Sequence, residues 1–302
     1  MKIARFSKEQ AISLIQKIDY DEVVKNNFIK ALDAELYMKH ESFASNPLLL
    51  NIMLLTYDNY ADIPEKLHLF YSNAFETLYI KHDATKGGYK REFKTKLSSD
   101  DFKRVFAFFC FVTYFNGKIE FYEDELRSFL AKVNLKGKEL NIDDIIYDLT
   151  NSMCLMYKDG ITYRFTHRSF QEYFTALFLK ELPDSNMKKM AIELIKKDPI
   201  RARDDSVFDM LYDMCEESVE HNIIMPILEE IETDCENDKY KYYLERMNVE
   251  FKLSTSPEAN DITLWLLMFE GCQLSWFVYK FVKIHNKTPQ ELEDAKKFQV
   301  NY

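Results

Sequence analysis

The sequence predicts a mainly α fold: a helical bundle, a second helical block ending in a β-hairpin, and a small, mostly helical (α+β) C-terminal block. Three observations carry that expectation. Only six glycines and seven prolines interrupt 302 residues, which favours long helices with few tight turns. Apolar residues recur at helical spacing behind polar residues of the kind that cap helices. Two β-rich runs flank Lys158-Asp159-Gly160, and Asp-Gly suits the positive φ of a hairpin turn.

Taken in order, Ser7-Lys8-Glu9-Gln10 reads as a capping box opening a helix that turns Ala11, Leu14, Ile15 and Ile18 inward. Asp19 or Asp21 caps a second helix through Leu36. Asn46-Pro47 supplies a cap followed by proline at the first helical position, and opens an apolar helix over Leu48 to Thr56. Ile63-Pro64 starts a fourth, with Leu67, Phe70, Ala74, Phe75 and Leu78 on one stripe. These helices make a first domain, residues 1–90, closed by the polar connector Lys86-Gly87-Gly88-Tyr89-Lys90-Arg91.

The second domain, residues 91–183, begins with a helix capped by Ser99 and running through Phe115. Helices over Glu123–Val133 and Ile142–Asn151 follow, then the hairpin of Cys154–Tyr157 and Ile161–Phe165. Three helices and a hairpin is the order of a winged helix. A helix from Arg168 to Leu182 carries Phe170, Tyr173, Phe174, Leu177 and Phe178 on a packing stripe, and Pro183-Asp184-Ser185-Asn186 ends the block. Residues 184–302 form the third domain: two or three acidic helices to about Glu236, strands at Met247–Leu253 and Ile262–Phe269, and an aromatic helix over Leu274–His285 with Trp276, Phe277 and Phe281.

Charge and cysteine usage narrow the function classes. Of the 50 acidic residues, 13 fall between Asp204 and Asp238, a stretch with no Lys or Arg, which reads as a solvated flank or an acidic interaction face. The net charge of −10 disfavours general binding to nucleic acid. Five scattered cysteines without a C-x-x-C pair suggest reduced thiols in a cytoplasmic protein. No apolar run near Met1 suggests a signal peptide, and Val105–Phe115 falls short of the roughly 20 residues that cross a bilayer.

The run Phe165-Thr166-His167-Arg168-Ser169-Phe170-Gln171-Glu172-Tyr173-Phe174 resembles the F-x-H-x-S-F-Q-E-Y-F signature of the winged-helix domain in NACHT-type STAND NTPases, the family of NLR immune receptors and their bacterial relatives. About 120 residues earlier, Asn46-Pro47-Leu48-Leu49-Leu50 is similar to the N-P-L-L-L motif of that family's helical domain, and Ile63–Leu67 with Leu69-Phe70-Tyr71 resembles the segment that follows it. The resemblance spans roughly residues 6–182. It implies an intracellular, antiphage-type immune sensor that switches between ADP and ATP and oligomerises on activation by a ligand or protein trigger. It also implies that His167, Pro47 and Asn51 contact the nucleotide, His167 at the phosphates and Pro47 beside adenine.

Physical chemistry suits that role for His167. At a helix N-terminus, free N–H groups and the macrodipole favour an anion and disfavour imidazolium, so a neutral ring there donates an N–H to a phosphate oxygen. The plain alternative is a half-buried structural histidine at a strand–helix junction. Arg168 and Glu172, four apart, are spaced to pair on the helix. Gln171 and Glu172 either tie the helix to the preceding block or lie on the surface.

Catalytic patterns are missing. The sequence holds no G-x-x-x-x-G-K-[ST], no apolar strand ending in an acidic Mg²⁺ cluster, no H-E-x-x-H and no G-x-S-x-G. Phosphoryl transfer needs that lysine and metal, so nucleotide chemistry would require a NACHT NTPase core in cis or in trans. Two other classes stay open. A winged-helix DNA-binding regulator would place Ile142–Asn151 in the groove, yet this helix carries Asp143, Asp144 and Asp148 and no basic residue. A helical interaction scaffold would make no nucleotide contact.

Overall fold

Local capping decides where the first helices start. The computed structural model describes residues 5–60, 63–81, 93–135, 137–237, 249–255 and 262–268. Helix α1, Lys8–Lys17, opens on the reciprocal Ser7–Gln10 box, with Ala11 and Ile15 buried. In α2, Glu22–Ala31, Asp21 is the cap: its carboxylate accepts the N–H groups of Val23 and Val24 at 2.9 and 3.0 Å. One wide turn, Leu32–Leu36, carries that helix on to Lys39, three residues beyond the expected end.

After the short helix α3, Glu41–Ala44, Asn46 starts α4, Pro47–Tyr60, by accepting from the N–H groups of Leu48 (3.0 Å) and Leu49 (3.3 Å). Helix α5 spans Leu67–Lys81 rather than beginning at Ile63-Pro64; the carbonyl of Lys66 receives its first N–H groups, from Leu69 and Phe70. Phe70, Tyr71, Ala74 and Phe75 are its buried face. The connector 86–91 lies outside the described residues.

The next block alternates helix and strand. Helix α6, Ser99–Phe115, is capped by Ser98, one residue earlier than predicted, because Ser98 has the extended backbone and accepts from Asp101 N–H at 3.2 Å. Strand β1, Glu120–Tyr122, follows, then α7, Glu123–Leu130, and α8, Ile142–Tyr147, which is capped by Asn141 and continues through a wide turn, Asp148–Ser152. Strands β2, Met156–Asp159, and β3, Thr162–Phe165, complete an antiparallel sheet of order β1-β3-β2. Asp159 stands opposite Thr162, so the loop is Gly160-Ile161, and Gly160 takes φ +61°, a conformation that favours glycine. Phe121 and Phe165 lie under the sheet against Phe109 of α6, with ring centroids 5.7 and 5.8 Å away.

Asp148 fixes the entry to this block. Fully buried, its carboxylate accepts the N–H groups of Lys94 (3.0 Å) and Thr95 (2.9 Å) and the hydroxyl of Ser152 (3.0 Å). A buried carboxylate needs such donors to offset desolvation. The residue is therefore an internal brace, and not part of a groove-facing helix surface.

Two compact units result, Met1–Thr175 and Ala176–Tyr302, and helix α9, Arg168–Lys180, runs through the division. Both predicted N-terminal domains contribute to the first unit; the expected division at residue 90 falls outside the described residues. In the second unit, Pro183 caps α10, Asp184–Lys197, so the segment read as a terminator begins a helix. Four more follow: α11, Pro199–Asp204, α12, Val207–Met214, α13, Glu216–Val219, and α14, Met225–Asn237, with a wide turn at Glu220–Ile224 leading into the last. Strands β4, Val249–Thr255, and β5, Ile262–Met268, pair antiparallel. The predicted helix with Trp276, Phe277 and Phe281 lies outside the described residues. Among the described residues, no helix is long and apolar enough to cross a membrane, and no group of three His, Cys, Asp or Glu is placed to hold a metal.

Candidate functional site

His167 sits between the end of β3 and the start of α9. The preceding turn is pinned to the segment entering β2: Thr166 donates its N–H to the Leu155 carbonyl at 2.9 Å and its hydroxyl to the Cys154 carbonyl at 2.6 Å. His167 then caps α9 in an unusual way. Its own carbonyl accepts from Phe170 N–H at 3.2 Å, and its ring Nδ1 accepts the backbone N–H of Ser169 at 3.3 Å. The Ser169 hydroxyl makes a second, short contact to the same Nδ1.

That geometry assigns the tautomer. A backbone N–H is only ever a donor, so the atom it points at carries a lone pair. Nδ1 is therefore the acceptor, and the neutral ring carries its proton on Nε2. Burial lowers the pKa of His167 below the ordinary histidine value, in the same direction as the helix dipole. The ring is a neutral N–H donor at a helix N-terminus.

Other residues of the motif are occupied structurally. Gln171 is 1% exposed, and its amide donates to Thr113 Oγ1 and to the Lys118 carbonyl, both at 2.9 Å, tying α9 to α6 and the loop before β1. Glu172 is buried at 8% exposure and pairs with Arg168 at 3.0 Å, so the expected i, i+4 pair forms with only its arginine half in solvent. Phe170, Tyr173 and Phe174 are core. From residue 170 to 176 the helix is buried on every side, a wider burial than the aromatic stripe predicts.

Pro47 occupies the first position of α4, and Asn51 lies one turn later on the same face; Pro47, Leu48, Asn51 and Leu55 form its half-buried stripe while Leu49, Leu50, Ile52, Met53 and Leu54 face the core. The Oδ1 of Asn51 is buried with no hydrogen-bond partner. An amide oxygen left so is a costly acceptor until an N–H donor reaches it.

Aromatic packing joins the two motif segments in one core. Phe43, just before the Asn46 cap, has its ring 5.4 Å from that of Tyr71 on α5. Tyr71 in turn lies 5.2 Å from Phe170 and stacks on Tyr173 at 5.6 Å. Burial pushes the pKa of its phenol well up. Sequence reasoning missed Ser169 as the polar partner of the His167 ring. Its signal was weak: a serine in the first turn of a helix reads as one more local polar residue.

Two further features lie elsewhere. A cleft of about 300 Å³, lined by Ala31, Leu36, Lys39, His40, Tyr57 and Glu65 among others, contains none of Pro47, Asn51 and His167. Helix α8 offers acidic chemistry, with Asp143 paired to Arg127 and Asp144 in its first turn. No family model and no curated protein matches this chain.

Proposed function

We propose that this chain is the regulatory part of a NACHT-type STAND nucleotide switch, in which His167 contacts the phosphates of ADP and the Pro47–Asn51 face of α4 contacts adenine. One observation carries the reading: His167 uses Nδ1 to cap its own helix and keeps Nε2–H as a neutral donor at that helix start, where the helix dipole favours an anion. The unpartnered Oδ1 of Asn51 adds an acceptor of the kind an exocyclic amine satisfies. The second block supports a winged-helix assignment through its order of helix, strand, two helices and hairpin and its sheet order β1-β3-β2.

In this reading the chain is a sensor, not an enzyme. Its residues fit the contacting half of a nucleotide site; the phosphate-gripping lysine and the Mg²⁺ ligands belong to a NACHT NTPase core, in cis or in trans. Such a core would supply nucleotide hydrolysis. His167 would hold the closed ADP state and release it as the domain rotates, freeing surfaces for oligomerisation in an intracellular immune response. A neutral donor discriminates by position instead of charge, so its contact is insensitive to pH changes above its own titration.

The test places a NACHT NTPase core upstream of Met1 and measures the ADP retained through purification. His167→Ala is expected to lose most of the bound ADP and to shift the protein toward its open, oligomeric form. Retention equal to that of the parent protein, in a folded variant, rejects the phosphate contact.

A further inference from the structure

One cavity of the first unit takes no part in the histidine site, and it opens where helix geometry changes. Past Ala31, the helix that begins as α2 widens for one turn, Leu32–Leu36, in which the N–H of Tyr37 reaches the Leu32 carbonyl five residues back instead of four. Wide turns of this kind are rare and are found frequently at functional sites. Here that turn, Tyr57 of α4 and the segment ahead of α5 border the cleft of about 300 Å³. The volume stands at the lower end of ligand pockets, which run from about 300 to 1,000 Å³.

Burial divides its lining into an inside and a mouth. Leu36, His40 and Ile63 are buried, and Tyr57 adds a half-buried ring whose centroid lies 5.3 Å from that of Phe28. At the mouth, Lys39 stands between two exposed carboxylates, its Nζ 3.1 Å from Glu65 and 3.3 Å from Glu35. The hydrogen bonds to Glu65 and Glu35 push the Lys39 pKa up, so this group is a full cation. One ammonium therefore faces two carboxylates, and the mouth keeps a negative excess.

That excess chooses the ligand. An anion would reach Lys39 only past both carboxylates, whereas a cation meets charge that Lys39 leaves uncompensated. An exposed ion pair is worth little and rearranges at small cost, so an incoming ammonium can share or replace Lys39. The aromatic wall favours the same sign, because an organic cation is attracted to the face of a tyrosine ring. A bare metal ion fits poorly: the inside is largely apolar, and among the described residues no three His, Cys, Asp or Glu are placed to hold one.

We propose that this cleft binds a small organic amine, its protonated nitrogen at Glu35 and Glu65 and its apolar body against Tyr57, Leu36 and Ile63. The site shares no residue with the Pro47–Asn51 face or the His167 turn, and it does not depend on the function proposed for them. Occupancy joins the wide turn to Tyr57 and to the segment ahead of α5, so the amine stabilises the first unit by mass action.

The test uses the full chain at pH 8, where histidine is ordinarily neutral, with its alanine methyls labelled with ¹³C. The probes are 2-phenylethylammonium, the anion 3-phenylpropionate and the neutral 2-phenylethanol, which share one apolar body. Phenylethylammonium is expected to shift the Ala31 and Ala34 methyl signals saturably and to raise the melting temperature. The other two probes should bind at least about tenfold more weakly. Ala34→Leu fills the cleft from an exposed position and should abolish binding. Combining Glu35→Gln with Glu65→Gln should weaken it about tenfold. Lys39→Ala removes the competing cation and should strengthen it a few fold.

Absence of saturable binding by phenylethylammonium overturns the proposal. Equal binding of phenylethanol, or tighter binding of phenylpropionate that Lys39→Ala abolishes, overturns the assignment of an amine. Ala31 shifts that survive Ala34→Leu put the ligand elsewhere and overturn the site. If Ala34→Leu does not fold, the paired Glu35→Gln and Glu65→Gln changes, both at exposed positions, decide, and unchanged affinity there overturns it equally. None of these results bears on ADP retention, which reads His167.

Discussion

Two helix starts in the first unit, at Pro47 and at Arg168, solve the same problem with different chemistry. Each must satisfy N–H groups that the helix leaves unpaired. Asn46 does so with one oxygen that accepts from two backbone groups, at 3.0 and 3.3 Å, and its capping atom is then fully used. His167 caps with Nδ1 and still has a second ring nitrogen, whose proton is directed away from the cap. Both caps leave a donor over, the Nδ2 amide of Asn46 and the Nε2–H of His167, but the histidine's is a single ring N–H whose direction is fixed by the cap contact at the opposite nitrogen. Because its donor is a single, fixed N–H, the His167 turn is the better candidate for ligand contact, and it also belongs to the longer of the two motifs.

The largest expected effect lies in the core under the histidine start. Phe174 is fully buried between Phe75 and Phe106, with ring centroids 5.2 and 4.7 Å away. Phe174→Ala should cost about 3–5 kcal/mol in urea denaturation. A loss under about 1 kcal/mol would mean that α9 is not anchored as described, and the geometry at His167 would lose its support.

The caps themselves come next. Asn46→Ala should destabilise by about 1 kcal/mol. His167→Ala should cost a comparable amount, about 0.5–2 kcal/mol, through the lost contact to Ser169 N–H. The comparison breaks where nucleotide is concerned: with a NACHT core attached, Asn46→Ala should retain ADP and His167→Ala should not. Equal ADP loss in both variants would make the histidine an ordinary cap.

The smallest effect is the dependence on pH. Burial holds the folded-state pKa of His167 below its unfolded value, so as pH falls the unfolded chain takes up the proton first. The stability His167 contributes is complete above the unfolded pKa of about 6.5 and is lost as pH falls through that value toward the folded pKa. Denaturation midpoints of the parent and His167→Gln should therefore converge as pH drops from 7.5 to 5.5, by roughly the amount one histidine can supply. Parallel profiles would show that the ring is not held neutral.

Legibility followed the range of the interactions involved. Ser7, Asp21 and Asn46 cap through atoms two or three residues away, and such caps are visible in a short window. Strand β1 was not visible, because three residues carry no period and its existence depends on Glu120 pairing with Arg164, 44 positions on. Asp148 read as one more acidic residue on a helix, yet its partners are the N–H groups of Lys94 and Thr95. Gln171 looked equally suited to surface or core; only the side-chain and carbonyl acceptors Thr113 and Lys118 decide for the core. For the candidate site, the position of His167 at a helix start was legible from sequence. Its tautomer was not, since that depends on which groups of Ser169 reach the ring.

The most direct measurement follows the His167 Nε2–H signal by ¹H–¹⁵N spectroscopy in the chain joined to a NACHT NTPase core, while ADP or adenosine is added. The account predicts that ADP shifts this signal and slows its exchange with water, and that adenosine, lacking phosphates, does neither. ADP bound to the complex with the Nε2–H signal unchanged would contradict it.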